Sequence, residues 1–210
     1  MKRIITISVL LVALSAAGYA SNYEEAMSSN IEKMYQSNSP EELAKIAGQF
    51  SWIANAEKDK WLPCYYAAFS YLRATYFGNM NAEEIQKYLD LAQAEIDKVL
   101  KITSKESEVY ALQAHVYQLR ITDMTKGMKY APLAMESLAI AERLNAKNPR
   151  VYYLKGANLY HTPEAYGGGA EKAKPLLEKA AEMFKNFQPE NALMPTWGAE
   201  HNSELLSECK

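Results

Sequence analysis

Apolar residues recur at helical spacing over nearly the whole chain, and the sustained alternation of β-branched and polar residues that marks a half-buried strand is missing. The clearest segment is 152–184. Its first half puts Tyr152, Gly156 and Leu159 on one helical face, and its second half puts Ala173, Leu177 and Ala180 on another. A large, small, large face answered by a small, large, small one lets two short helices pack closely, and Gly167-Gly168-Gly169 supplies the reversal between them. Helix starts are readable elsewhere. Ser39-Pro40-Glu41-Glu42 offers a capping hydroxyl, a first-turn proline and two acids favoured by the helix dipole. Asn81-Ala82-Glu83-Glu84 and Ser104-Lys105-Glu106-Ser107-Glu108 are similar, and Pro132 and Pro149 mark two further expected starts.

The same pair of faces returns three times before residue 152. First-helix faces read Met27/Ile31/Met34, Cys64/Ala68/Tyr71 and Tyr110/Ala114/Tyr117; second-helix faces read Ile46/Phe50/Ile53, Ala92/Ile96/Val99 and Ala134/Leu138/Ala141. From the second helix of one pair to the first of the next the step is constant, with 22 residues from Ile46 to Ala68, from Ala92 to Ala114 and from Ala134 to Gly156. Within a pair it varies: 15 from Ile31 to Ile46, 24 from Ala68 to Ala92, 20 from Ala114 to Ala134 and 17 from Gly156 to Ala173. A fixed packing step with variable loops on one edge is the signature of stacked repeats. The predicted fold is therefore all-α, a short α-solenoid of about four helix pairs (about 23–59, 60–106, 107–148 and 149–188). A cap over 189–210 would cover the last apolar face with Trp197, Leu205 and Leu206. The three later enlarged loops open at Thr75, Thr122 and Thr162, and each carries an aromatic and a glycine.

Residues 1–20 read as a cleaved secretion signal, with Lys2 and Arg3 at the start, an apolar run from Ile4 to Leu14, and small Gly18 and Ala20 at the cleavage site. The run is shorter than the ~20 residues a membrane span needs. The expectation is an exported protein, periplasmic if the source is Gram-negative, without stable membrane insertion. The formal charge of −2 gives no basic face for nucleic acid. Two cysteines allow a disulfide in an oxidising compartment, but Cys64 lies in an apolar helical stretch and Cys209 is next to last. A buried thiol and a frayed-tail thiol are the plainer expectation.

Chemistry-bearing patterns are scarce. The Gly167–Gly169 run lacks both the spacing and the preceding strand of a phosphate-binding loop. His115, His161 and His201 show no metal-ligand spacing, and no nucleophile motif occurs. No enzymatic activity, cofactor or metal is expected.

At Asn148-Pro149-Arg150-Val151-Tyr152-Tyr153-Leu154 and Thr162-Pro163-Glu164-Ala165-Tyr166-Gly167-Gly168-Gly169 the chain resembles small exported bacterial proteins of the tetratricopeptide-repeat (TPR) type. Residues 54–63 and Pro195-Thr196-Trp197-Gly198 fit the same group. The resemblance implies protein–protein interaction, here with an unidentified protein or peptide partner in the cell envelope. It assigns a concave groove to first-helix positions, among them Tyr35, Tyr65, Phe69, Arg73, His115, Arg150, Tyr153, Tyr160 and His161. Aromatics with polar tips and arginines are frequent interface anchors; the same rings could equally form core. The loops at Tyr76-Phe77 and Tyr166 are a second candidate surface. The alternative to a protein partner is a small-ligand-binding accessory protein linked to solute uptake.

Overall fold

The structure is a computed structural model that describes residues 22–209. The expected secretion signal lies outside the described residues. Among these the fold is all-α: α1 (22–36), α2 (Pro40–Ala56), α3 (Leu62–Ala74), α4 (Ala82–Ile102), α5 (Ser107–Leu119), α6 (Met124–Leu144), α7 (Pro149–His161), α8 (Ala170–Asn186) and α9 (Ala199–Glu208), with a 3₁₀ turn at Glu164–Tyr166. No helix among them is long and apolar enough to cross a membrane.

Local signals place most helix starts. Ser39 accepts the Glu42 N–H at 3.3 Å with Pro40 in the first turn. Asn81 and Glu84 form a reciprocal capping box, and Asn148 caps α7 ahead of Pro149. Two expectations are corrected. Helix α5 starts at Ser107 rather than Ser104, with no side chain capping it. Pro132 lies inside α6, which starts eight residues earlier because Asp123 accepts the Lys126 N–H at 2.8 Å. A good cap upstream thus outweighs the one backbone hydrogen bond that the proline removes.

The helices α3, α5 and α7 are 13 residues each and form an inner row, α3 touching α5 and α5 touching α7. Most of their residues are buried all round. Helices α4, α6 and α8 pack against this row through one stripe each and leave the opposite face to water. Both α4 and α6 run 21 residues against 17 in α8. The extra length within these pairs is therefore largely added helix rather than loop.

The α7–α8 contact shows why a small residue is required. A Cβ on Gly156 would stand 2.6 Å from Leu177 Cδ2 and 2.8 Å from its Cγ. Both cysteines are free, and both are buried, so Cys209 is packed rather than frayed. Replacing Gly156 with Ala is expected to destabilise the fold by about 1–3 kcal/mol through overpacking, even though alanine favours a helix by roughly 1 kcal/mol over glycine. Urea unfolding measures this, and an unchanged midpoint would mean that α8 yields at this contact.

Candidate functional site

The C-terminal segment comes to rest against the inner row. Residues 193–198 cross α3, α5 and α7. Tyr66 donates to the Leu193 carbonyl at 2.7 Å, and Arg150 Nη2 donates to the Pro195 carbonyl at 2.5 Å. Trp197 stacks on Phe69 (5.3 Å between ring centres) and on His115 (5.6 Å), while its indole N–H donates to the Tyr65 hydroxyl at 2.8 Å. Chain reversal into α9 needs Gly198. Its φ is 107°, and a Cβ there would meet Phe184 at 2.9 Å and Tyr153 at 3.5 Å. Asn202 and Glu208 then tie α9 down, the first donating to the Leu177 carbonyl at 3.0 Å, the second accepting from the Tyr160 hydroxyl at 2.6 Å.

The nine residues assigned to the groove fall into two groups. Tyr65, Phe69, His115, Arg150 and Tyr153 are buried beneath this segment. Tyr35, Arg73 and Tyr160 are partly buried, and His161 is exposed, edge-on to Tyr160 at 5.1 Å. The chain's own C-terminal residues thus occupy the floor of the groove. Arg150 is its central post: 0% exposed, paired to Glu108 at 2.9 Å, and within 5.9 Å of the Phe184, Phe187 and Trp197 rings. Burial raises the Glu108 carboxyl above its usual range against the opposing pull of Arg150.

Near the C-terminal ends of α3 and α5, the side chains of Arg73 and Tyr76 remain partly exposed. Tyr76 is 39% exposed, yet its hydroxyl is pinned to His115 Nε2 at 2.5 Å. The His201 ring, on the exposed face of α9, stands 6.0 Å from the Tyr76 ring. On the other side Arg73 lies over Tyr35 (5.4 Å) and Phe77 (5.8 Å). No carboxylate among the described residues pairs with Arg73, and its buried Nε has no hydrogen-bond partner. Tyr76 was legible as a loop aromatic. The place of His201 was not, because α9 reaches Tyr76 only after the turn at Gly198.

Two clefts lie elsewhere. One of about 730 Å³, between the start of α5, the α6–α7 turn and the end of α8, sets Lys105 and Lys147 against Glu106, Glu182 and Glu190. Burial and the neighbouring Glu190 raise the Glu106 carboxyl. The other, about 590 Å³ between α2, α3 and α4, sets Lys87 against Glu41 and Glu84. Carboxylates outnumber cations in both, which disfavours an anionic ligand. No group of three or more His, Cys, Asp or Glu among the described residues could hold a bare metal ion.

No protein-family model matches the chain, and no curated protein matches it. Among solved structures it is similar to the HusA haemophore from Porphyromonas gingivalis, 28% identical over 90% of this chain and 92% of that chain, with a TM-score of 0.79. The likeness spans nearly the whole of both proteins. This chain is a small all-helical protein with a haemophore as a structural neighbour.

Two outcomes follow from the buried charges. Replacing Glu108 with Ala strands Arg150 and is expected to cost about 3–5 kcal/mol, read by denaturant unfolding; unaltered stability would show that Arg150 is solvated. Burial also lowers His115 from 6.5 to about 4. Below pH 6.5 the unfolded chain takes up a proton that the folded chain refuses until about pH 4. Stability should therefore fall as the pH drops through that window, by at most about 3 kcal/mol. Carboxylates titrate near its lower end, so the comparison is with His115→Gln, in which the slope between about pH 6.5 and 5 should flatten. An equal slope would mean that His115 protonates freely in the folded protein.

Proposed function

We propose that the protein binds haem or a related tetrapyrrole, as an exported accessory to its uptake, and that its helices form a short solenoid of four TPR-like pairs. The likeness to the HusA haemophore carries this reading, because it runs through the full helical array at an identity above that of shared fold alone. The site supports it in chemical kind. A planar, amphipathic, dianionic ligand suits an exposed aromatic face, an unpaired guanidinium and a free imidazole at one mouth. A peptide in the groove is the weaker reading, since residues 193–198 hold the floor that a peptide would occupy.

The test is a titration of the metal-free chain, without residues 1–20, by haemin and by protoporphyrin IX. The expected result is a saturable one-to-one change in the Soret band with haemin and a saturable change in porphyrin emission with protoporphyrin. If neither ligand saturates, the tetrapyrrole reading is wrong.

A further inference from the structure

We propose that the cleft between the start of α5, the α6–α7 turn and the end of α8 is a second binding site, and that it takes an aliphatic ammonium group. Glu106 and Glu190 hold the cation, Glu108 offers an acceptor at the inner end, and Leu144, Met183 and Phe187 face the aliphatic body. The site shares no residue with the Arg73 and Tyr76 region and does not rest on the tetrapyrrole reading.

The charges of the cleft leave a cation missing. Glu106, Glu182 and Glu190 line it against Lys105 and Lys147, and none of these five forms an ion pair among the described residues. Both lysines are exposed, where pairing gains a long flexible side chain little. Glu106 is half-buried, and burial followed by the like charge of Glu190 raises its carboxyl above the usual range. Two carboxylates thus oppose each other with no cation of the protein's own between them.

The observation that points to a ligand is Glu108. It lines the same cleft and is 6% exposed. Its Oε1 accepts from Arg150 at 2.9 Å, but its Oε2 is buried with no hydrogen-bond partner. Buried carboxylate oxygens normally have one. The neighbouring Ser107 hydroxyl is no help, because it donates to the Ala141 carbonyl at 2.8 Å. The cleft between α2, α3 and α4 is also acidic, yet none of its lining residues carries such an orphaned atom.

The class of cation follows from what lines the cleft. No group of three or more His, Cys, Asp or Glu among the described residues could hold a bare metal ion. An ammonium group has three donors and no acceptor, so it can serve several carboxylates at once. An aliphatic chain behind it gains from the apolar wall, and a cleft of about 730 Å³ is of small-molecule size.

Calorimetric titration at low salt and pH 7 tests the site with hexylamine, acetyl-lysine amide, hexanoate and calcium chloride. Hexylamine should saturate, while hexanoate and calcium should not. Glu106→Gln and Glu190→Gln should each weaken hexylamine about tenfold, and the double variant should lose saturation. Lys147→Gln, which removes a competing positive charge, should tighten it a few-fold, a gain that misfolding cannot mimic. Glu178→Gln, which removes an exposed carboxylate of α8 outside the cleft, should match the wild type. Circular dichroism and urea unfolding check each fold. Both sources of the ammonium group support the site: a free amine if hexylamine binds the tighter, a peptide lysine if acetyl-lysine amide does. The site is overturned if neither amine saturates, if calcium binds as well as hexylamine, or if Glu178→Gln weakens binding as much as Glu190→Gln. Each of these results leaves the tetrapyrrole reading standing, and failure to bind haemin leaves this site standing.

Discussion

A single buried guanidinium ties the C-terminal segment to the inner row and the last helix pair. Arg150 opens α7, and from there it meets Glu108 on α5, the Pro195 carbonyl of the C-terminal segment and three aromatic rings. A charge with no exposed surface is costly unless its field is answered. Here one carboxylate answers the field, while the carbonyl and the ring faces fix the geometry. The inner row, the strap across it and the last helix pair are thus set relative to one another by one side chain.

How much of this can be read from the residues depends on the range of the interaction that decides each feature. Helix type and most helix starts come from local chemistry, and Ser39, Asn81 and Pro149 mark theirs directly. Pro132 misleads because proline is tolerated inside a helix when a stronger cap lies upstream, and Asp123 provides one. The small residue at Gly156 is legible through its periodic partner Leu177. The fate of the groove aromatics is not. Tyr65 and Phe69 lie on the right face for a groove, but whether they meet a ligand or Trp197 is settled by a contact spanning well over a hundred residues. Cys209 is buried for the same reason: helix α9 turns back at Gly198 and packs on α8 instead of trailing into solvent.

The inner and outer rows divide the work differently. The inner helices α3, α5 and α7 are uniform in length, at 13 residues each. Outer helices vary in length, and their extra turns lie on the side of the enlarged loops. Tyr76 and Tyr166 both stand on such loops, yet only Tyr76 is tied back into the buried layer. A loop residue thereby gains the rigidity of a core residue while keeping one face in water.

The strap has a consequence for the order in which the protein matures. Its contacts join residues 127 and 132 positions apart, as in Tyr66 to Leu193 and Tyr65 to Trp197. Contacts of such separation form late, and a chain made from its N-terminus cannot make them until residues 193–198 emerge. Through synthesis the inner row therefore carries Tyr65, Phe69 and Arg150 uncovered, an aromatic and cationic surface with no partner of its own. A chain without residues 193–198 would keep that surface uncovered.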